Sequence, residues 1–422
     1  MNTALTRLRT PALLLVVALA LSCHRATRPD VGPRVSQGRA PVPAAPGPER
    51  VPAAPAPDRA RPPRPGSVTP PLRSPFGVAR GRGPRSLGVV RPDPGRLRRL
   101  ERGAALPPVV DVEGVSFYVD PARSVADPEL ERRNREALEP LRAFVRAVVG
   151  LADAWITSET GGSSDPALAD AALAGAAIDA LARWAEAGAL LGAVNHQGAY
   201  EREWSLGSLA LAYLKVRQAP ASLDSRKAIQ AWFRAIAARV EPDYERPGLK
   251  SSANNHAYFA GMALAAVGIA SDDRRLLDWG IARARIGIAQ IDAVGCLPLE
   301  RARGRLALHY HVFALGPLVM LAEMAMVNDI DLYVENGGAL HRLAGLVMDG
   351  LADPAELSRR LELGPQEIPR PPAAGALGWA EPYHARFPDR RLGAWLGAAR
   401  PVVDVRLGGD MTAAFGRPEA EP

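Results

Sequence analysis

After Val119 the chain never sustains the two-residue alternation of a half-buried strand. Ala- and Leu-rich stretches recur at helical spacing instead. Val109 to Val119 reads as extended. Asp127-Pro128 then has the form of a helix start, an acidic N-cap followed by Pro at the first position. That helix should run towards Trp155, with a possible break point at Pro140. A Gly/Ser loop follows over 157–164, and Asp165-Pro166 repeats the start signal for a helix to about Leu190. Further helices are expected near 200–217, 223–240, 256–270, 273–292, 305–327 and 335–350, separated by Gly and Pro clusters. Ten to twelve helices in antiparallel pairs make an all-α fold, and their spacing suggests an incomplete α/α barrel, or toroid. Ala is abundant and aromatics are only 5 %, which suits close helix packing.

The N-terminal quarter reads differently. Arg7 and Arg9, the apolar run 12–21 and Ser22-Cys23 form a signal peptide over 1–22. Ala20-Leu21-Ser22-Cys23 resembles a bacterial lipoprotein processing site, with Cys23 as the lipidated residue and Ala20 in place of the usual Leu. The alternative is an ordinary cleaved signal. From 23 to 108 Pro, Arg, Ala and Gly dominate, with one aromatic, Phe76, and no Lys. Too little apolar area is available there to offset ordering entropy, so a disordered linker is expected. It is either a plain spacer or an Arg-dense attractor of polyanions such as acidic glycans or lipid head groups. Residues 24–102 hold 17 Arg against 5 acidic residues. That accounts for the net charge of +7 and leaves the globular part, 109–422, mildly acidic. An exported chain of this kind is not expected to bind nucleic acid. With Cys23 in the leader, Cys296 stays single and reads as a small buried apolar residue.

Distinctive polar chemistry gathers between Lys250 and Leu318. Asn254-Asn255-His256-Ala257-Tyr258-Phe259 stands near one end, and Arg303 to His311 near the other. Taken alone, Asn254 or Asn255 caps a helix, His256 satisfies a local bond, Arg303 is a solvated charge and Tyr310 a half-buried phenol. Arg303 and Tyr310 are seven residues apart, and on one helix they would share a face. His309 and His311 cannot both face the way Tyr310 does. A zinc site of His309, His311 and His256 lacks a carboxylate and a metal-specific spacing, so no metal is expected. Upstream, Asn195 to Trp204 contains Gln197, Tyr200 and Trp204, a mixture suited either to sugar binding or to a loop and a core Trp.

Together these residues resemble the alginate lyases of polysaccharide lyase family 5. Asn254-Asn255-His256-x-Tyr258 is similar to that family's first motif. Glu300-x-x-Arg303, Leu308-x-Tyr310-His311 and Ala314-Leu315-x-Pro317-Leu318 are similar to its second. Trp379-x-Glu381-Pro382-Tyr383 and Arg406-Leu407-Gly408-Gly409 resemble its C-terminal signatures, and the likeness spans about 115–415. The resemblance implies an α/α toroid with a central cleft and no cofactor. Asn255 and Arg303 would neutralise a uronate carboxylate. His256 would assist them or remove the C5 proton, and Tyr310 would act as acid, or as acid and base. Gln197, Tyr200, Trp204, Tyr258, Phe259, His311 and Arg123 would line the substrate cleft. In the lid segment Phe117-Tyr118-Val119-Asp120-Pro121, Asp120 stands where the family carries a cation, with Arg123 the nearest base. Phe259 replaces a Trp.

The expected activity is β-elimination on an acidic polysaccharide by an exported monomer, periplasmic or held at the outer membrane through Cys23. Two other readings are a non-catalytic glycan-binding lipoprotein on the same fold and a toroid glycoside hydrolase. The hydrolase would need a carboxylate pair that the chain does not display.

Overall fold

The computed structural model describes residues 70–76, 93–121, 123–157, 166–246, 248–368 and 374–417. All of them belong to the second of two compact units, 53–422. The leader, Cys23, most of the linker and the loop after Thr157 lie outside the described residues.

The helices are α1 Pro94–Ala104, α2 Pro128–Thr157, α3 Pro166–Glu186, α4 His196–Val216, α5 Leu223–Val240, α6 Asn255–Ser271 and α7 Arg274–Gln290. They continue as α8 Pro298–Arg301, α9 Ala307–Met326, α10 Glu335–Ala352, α11 Pro354–Arg360, α12 Ala380–Arg386, α13 Arg390–Ala399 and α14 Met411–Phe415. The strands β1 Val403–Asp404 and β2 Gly409–Asp410 pair antiparallel.

α2 packs on α4, α4 on α6 and α6 on α9. Over this inner row lie α3 against α2, α5 against α4 and α6, α7 against α6 and α9, and α10 against α9. Alternation between inner and outer rows is the helix pairing of an incomplete α/α barrel, as the sequence leads one to expect. The inner helices explain the chain's most apolar stretches. α6 is buried nearly all round, as a helix wrapped by others must be. Residues Gly304–Met326 are apolar and long enough to cross a membrane by composition, but they are mostly buried here as part of the inner row. α6 and α7 approach closely at two glycines, where a Cβ on Gly280 would come 2.4 Å from the Gly261 carbonyl.

Polar caps set the helix starts. Asp127 accepts from Glu129 and Leu130 N–H, Asn195 from Gly198, and Asn254 from His256. The C-terminal hairpin lies on α2, and the turn between its strands on α2, α4 and α9. Its anchor is a buried ion pair, Lys215 with Asp153. Lys215 also donates to the Gly408 carbonyl (2.7 Å), and Asp153 accepts from Asp410 N–H (2.8 Å). This clamp holds the turn 405–407, and so Arg406, against the barrel.

The expected linker boundary at 108 is too late. α1 packs on α2 and α3. Leu72 and Phe76 are buried in the main core. The Arg-rich composition conceals this, because Arg96, Arg98, Arg99 and Arg102 keep to the solvent while Ala104 and part of Leu100 are buried.

Candidate active site

The polar residues converge where α4, α6 and α9 begin. A hairpin with arms 117–121 and 123–127 stands beside them. It is held by Val119 N–H to the Val125 carbonyl (2.9 Å) and Asp127 N–H to the Phe117 carbonyl (2.8 Å).

On α6, His256 lies flat against Tyr200 of α4, with ring centroids 3.9 Å apart and planes 20° apart. Trp204 stands one helical turn along α4 from Tyr200, nearly parallel to His256 at 5.9 Å. Burial first, then the Arg123 and Arg303 guanidiniums, drive the His256 pKa down to about 3, so the imidazole is neutral. Its Nδ1 is buried without a protein partner.

On α9, Tyr310 is 7 % exposed, and its hydroxyl is 2.9 Å from that of Tyr118 on the hairpin. The Arg303 guanidinium covers the Tyr310 ring at 3.7 Å. Burial, and then Tyr118, raise the Tyr310 pKa well above its ordinary value, with Arg303 opposing. Arg303 and Tyr310 do meet, but not as neighbours on one helix. Gly304 (φ +57) starts a 3-10 turn ahead of α9, and Arg303 reaches over from outside it.

The hairpin is strapped down by two arginines. Arg303 donates to the Arg123 carbonyl (2.7 Å), and Arg305 donates twice to the Ser124 carbonyl while pairing with Glu367 (2.8 Å). Arg123 itself, at φ +50, points Nη2 to His196 Nε2 (3.3 Å).

Arg406, delivered by the C-terminal turn, lies 4.9 Å above the Trp204 ring and 5.6 Å from Phe313. His309 has an exposed face yet is closely ringed by protein, the position of a residue on a concave wall. Burial, then Arg406 and Arg303, lower its pKa to about 4. Among the described residues, none of Arg123, Arg303 and Arg406 has a carboxylate in ion-pair contact.

Several expected site residues fall elsewhere. Tyr258 is 1 % exposed and donates to the Ala253 carbonyl (3.1 Å), packed over Gly287. His311 is buried on the far side of α9. Its Nδ1 meets the Ala307 carbonyl (2.7 Å), and its Nε2 accepts from Leu297 N–H (3.0 Å) beside Cys296. Phe259 backs Trp204 and Phe313 from within the core. Gln197 is half-buried with its stem against Gly114.

Asp120 does not face the cleft as a misplaced charge. Its carboxylate accepts from Ser124 N–H, Ser124 Oγ and Val125 N–H within its own turn. Asn255 is fully buried, its amide held by Glu300. Tyr118, His196, Glu300, His309, Phe313 and Arg406 join the site, although none of them is expected from sequence to act on the substrate. The lid position of Tyr118 and the motif positions of Glu300 and Arg406 are the signals that point to three of them. Among the described residues, no group of three or more His, Cys, Asp or Glu is arranged to hold a metal ion.

Residues 114–357 match the family model described as alginate lyase. A polysaccharide lyase of Stenotrophomonas maltophilia (strain K279a) is 37 % identical over 306 residues, 72 % of this chain and 87 % of that one. The chain belongs to the alginate lyase family. It is therefore a polysaccharide lyase. An alginate lyase of Azotobacter vinelandii is 34 % identical over 313 residues, covering 72 % of this chain and 80 % of the relative. Among solved structures, a histidine-to-alanine variant of alginate lyase A1-III with bound tetrasaccharide superimposes with a TM-score of 0.63. It shares 26 % identity over 76 % of this chain and 90 % of the other. A tyrosine-to-phenylalanine variant, also with tetrasaccharide, gives 0.64 at 25 % identity over 76 % and 91 %. The shared architecture places this family member among the α/α toroids.

Proposed function

We propose that the protein is an exported lyase that cleaves alginate or a closely related polyuronate by β-elimination, with Arg303, His256 and Tyr310 carrying the chemistry. The observation that carries this reading is the gathering of cations in the cleft. Three guanidiniums, Arg123, Arg303 and Arg406, surround neutral rings, and among the described residues none of the three has a carboxylate in ion-pair contact. Arg303 and Arg406 are half-buried and Arg123 is exposed, and cations gathered in this way favour a ligand that supplies the anion. A chain of uronates does so at every sugar. The names of the relatives agree, and so do the tetrasaccharides bound to the two alginate lyase A1-III variants.

In the proposed step His256, neutral over the working pH range, accepts the C5 proton of the uronate. The electrons of the broken C–H bond form the C4–C5 double bond. The C4–O bond breaks, and the leaving oxygen takes the Tyr310 proton. Arg303, over the Tyr310 ring, meets the charge that grows on the carboxylate. Burial keeps the Tyr310 phenol protonated, which suits an acid better than a base. Tyr200 and Trp204 brace the His256 ring, and Trp204 and Phe313 support the Arg406 guanidinium from below.

The test is incubation with polymannuronate, polyguluronate, hyaluronan and polyglucuronate, followed by the ultraviolet absorbance of the unsaturated product. Turnover should appear on at least one polymer and be lost in Tyr310→Phe and His256→Ala. Binding without product on every polymer would instead support a glycan-binding role. Export and lipidation at Cys23 belong to the same proposal. Wild type should fractionate with membranes and Cys23→Ala should not.

A further inference from the structure

Glu300 is 1 % exposed and has no cation in ion-pair contact among the described residues. Its carboxylate spends itself on one neighbour. Oε1 accepts the Asn255 backbone N–H at 2.9 Å, and both oxygens lie 3.0 Å from Asn255 Nδ2. The two oxygens of a carboxylate subtend a far smaller angle than the two N–H bonds of an amide. One N–H is therefore shared between them, and the other remains free. Asn255 Oδ1 is buried with no protein partner. The amide orientation follows from charge, since Oδ1 turned towards a carboxylate would be repelled.

These bonds join segments 45 residues apart. Asn255 immediately precedes His256. The Glu300 carbonyl accepts Arg303 N–H (3.1 Å), so Glu300 opens the turn that ends in Arg303. Among the described residues no other hydrogen bond links 254–256 to 300–310. A buried acid without a counter-ion is an expensive way to achieve stability, and an apolar side chain of similar volume would serve the core better. Burial does raise the Glu300 pKa, and the bonds from Asn255 and the charge of Arg303 oppose that rise.

We propose that Glu300 is a positioning residue for the lyase step, acting through Asn255 to set the distance between His256 on one wall and the Arg303–Tyr310 pair on the other. The proposal rests on the β-elimination reading above. An acid is required at this position because Asn255 presents only donors to it. In Glu300→Gln one terminal oxygen becomes an NH2 group facing those donors.

The experiment is a double-mutant cycle of Glu300→Gln and Asn255→Asp on a tetrasaccharide, with circular dichroism to show that each variant is folded at the assay temperature. Glu300→Gln should lower kcat by about 10-fold to 100-fold, the scale of a misplaced reacting group, and change KM less than about threefold. Asn255→Asp should be worse, because two carboxylates then face each other. Adding Glu300→Gln to it should raise kcat by about tenfold or more, as donor and acceptor exchange places. Wild-type kcat in Glu300→Gln, or losses that simply multiply in the double variant, would overturn the proposal. Should wild type itself make no unsaturated product, the lyase reading fails separately. The same cycle is then read in the His256 imidazole resonance, which must shift in Glu300→Gln and shift back towards wild type when Glu300→Gln is added to Asn255→Asp. An unmoved resonance overturns the positioning role.

Discussion

Burial and two neighbouring guanidiniums hold the His256 imidazole near a pKa of about 3, and an expected pH dependence follows. The free enzyme should show no inflection in kcat/KM near pH 6.5 from this residue, and its ring resonances should be constant from pH 8 to about 4. An inflection near 6.5 that disappears in His256→Gln would show that the ring titrates normally. The stability sign follows from proton counting. Between the unfolded value of about 6.5 and the folded value, the unfolded chain binds more protons. Stability from His256, and from buried His311 with its pKa of about 4, is present above pH 6.5 and is lost on acidification towards 3–4. Tm should fall through that window. At Tyr118 the expectation is kinetic. Tyr118→Phe removes the hydroxyl beside Tyr310, and one lost bond of about 1 kcal/mol should lower kcat by roughly fivefold. His256, Arg303 and Tyr310 were legible as a motif. Tyr258 and His311 were misjudged for a reason already in the sequence. On a helix residues two positions apart lie on nearly opposite faces, so His256 and Tyr258 cannot share the cleft, nor can His311 share it with His309. Tyr118 was not legible as a partner because its contact spans 192 residues.

At the scale of elements, helix starts were read closely because their signals are local. Asp127 and Asn254 cap the helices expected after them, whereas Asn195 caps a helix that begins four residues ahead of the start expected near 200. The lid hairpin was not readable in the same way. From sequence, Asp120 counts as an acid where a cation is usual, and Asp120→Lys would be expected to favour polymannuronate. The structure reverses that expectation. Asp120 is the fastener of its own turn. Burial works against its ionisation, but the bonds from Val125 and Ser124 hold its carboxyl below the ordinary range. Asp120→Lys and Asp120→Ala should both loosen the hairpin. They should lower kcat/KM by several-fold on dense and sparse polyuronates alike, as two or three lost turn bonds would. Arg305→Ala, which frees the Ser124 carbonyl, should do the same and should speed amide exchange across 117–126. Gain on polymannuronate alone in Asp120→Lys would restore the cleft reading of this residue.

For the molecule as a whole, the informative segment is 70–76, which the composition of its surroundings hid. It runs across the C-terminal ends of three inner helices. Leu72 N–H donates to Asp272 Oδ1 (2.7 Å) after α6, and the Leu72 carbonyl accepts from Arg217 (3.2 Å) after α4. Arg73 exchanges two bonds with Asn328 after α9 (2.9 and 3.0 Å). Phe76, the one aromatic residue between 24 and 108, sits 5.6 Å from Phe415 and beneath Lys215 (5.1 Å). It therefore backs the clamp that places Arg406 in the cleft. A chain shortened to begin at Pro70 should keep wild-type Tm and turnover on a tetrasaccharide, because residues 23–69 offer too little apolar area to supply core and 1–22 read as a leader. A chain beginning after Arg102 should behave differently. It loses α1, Leu72 and Phe76 together, and a buried Phe alone is worth about 3 kcal/mol. Its Tm should fall by several degrees or more, and its KM should rise as the Arg406 turn loosens. Phe76→Ala in the full chain should reproduce part of both effects. A shortened chain from 103 onward with wild-type Tm would mean that the strap adds nothing, and that the barrel closes its far end without it.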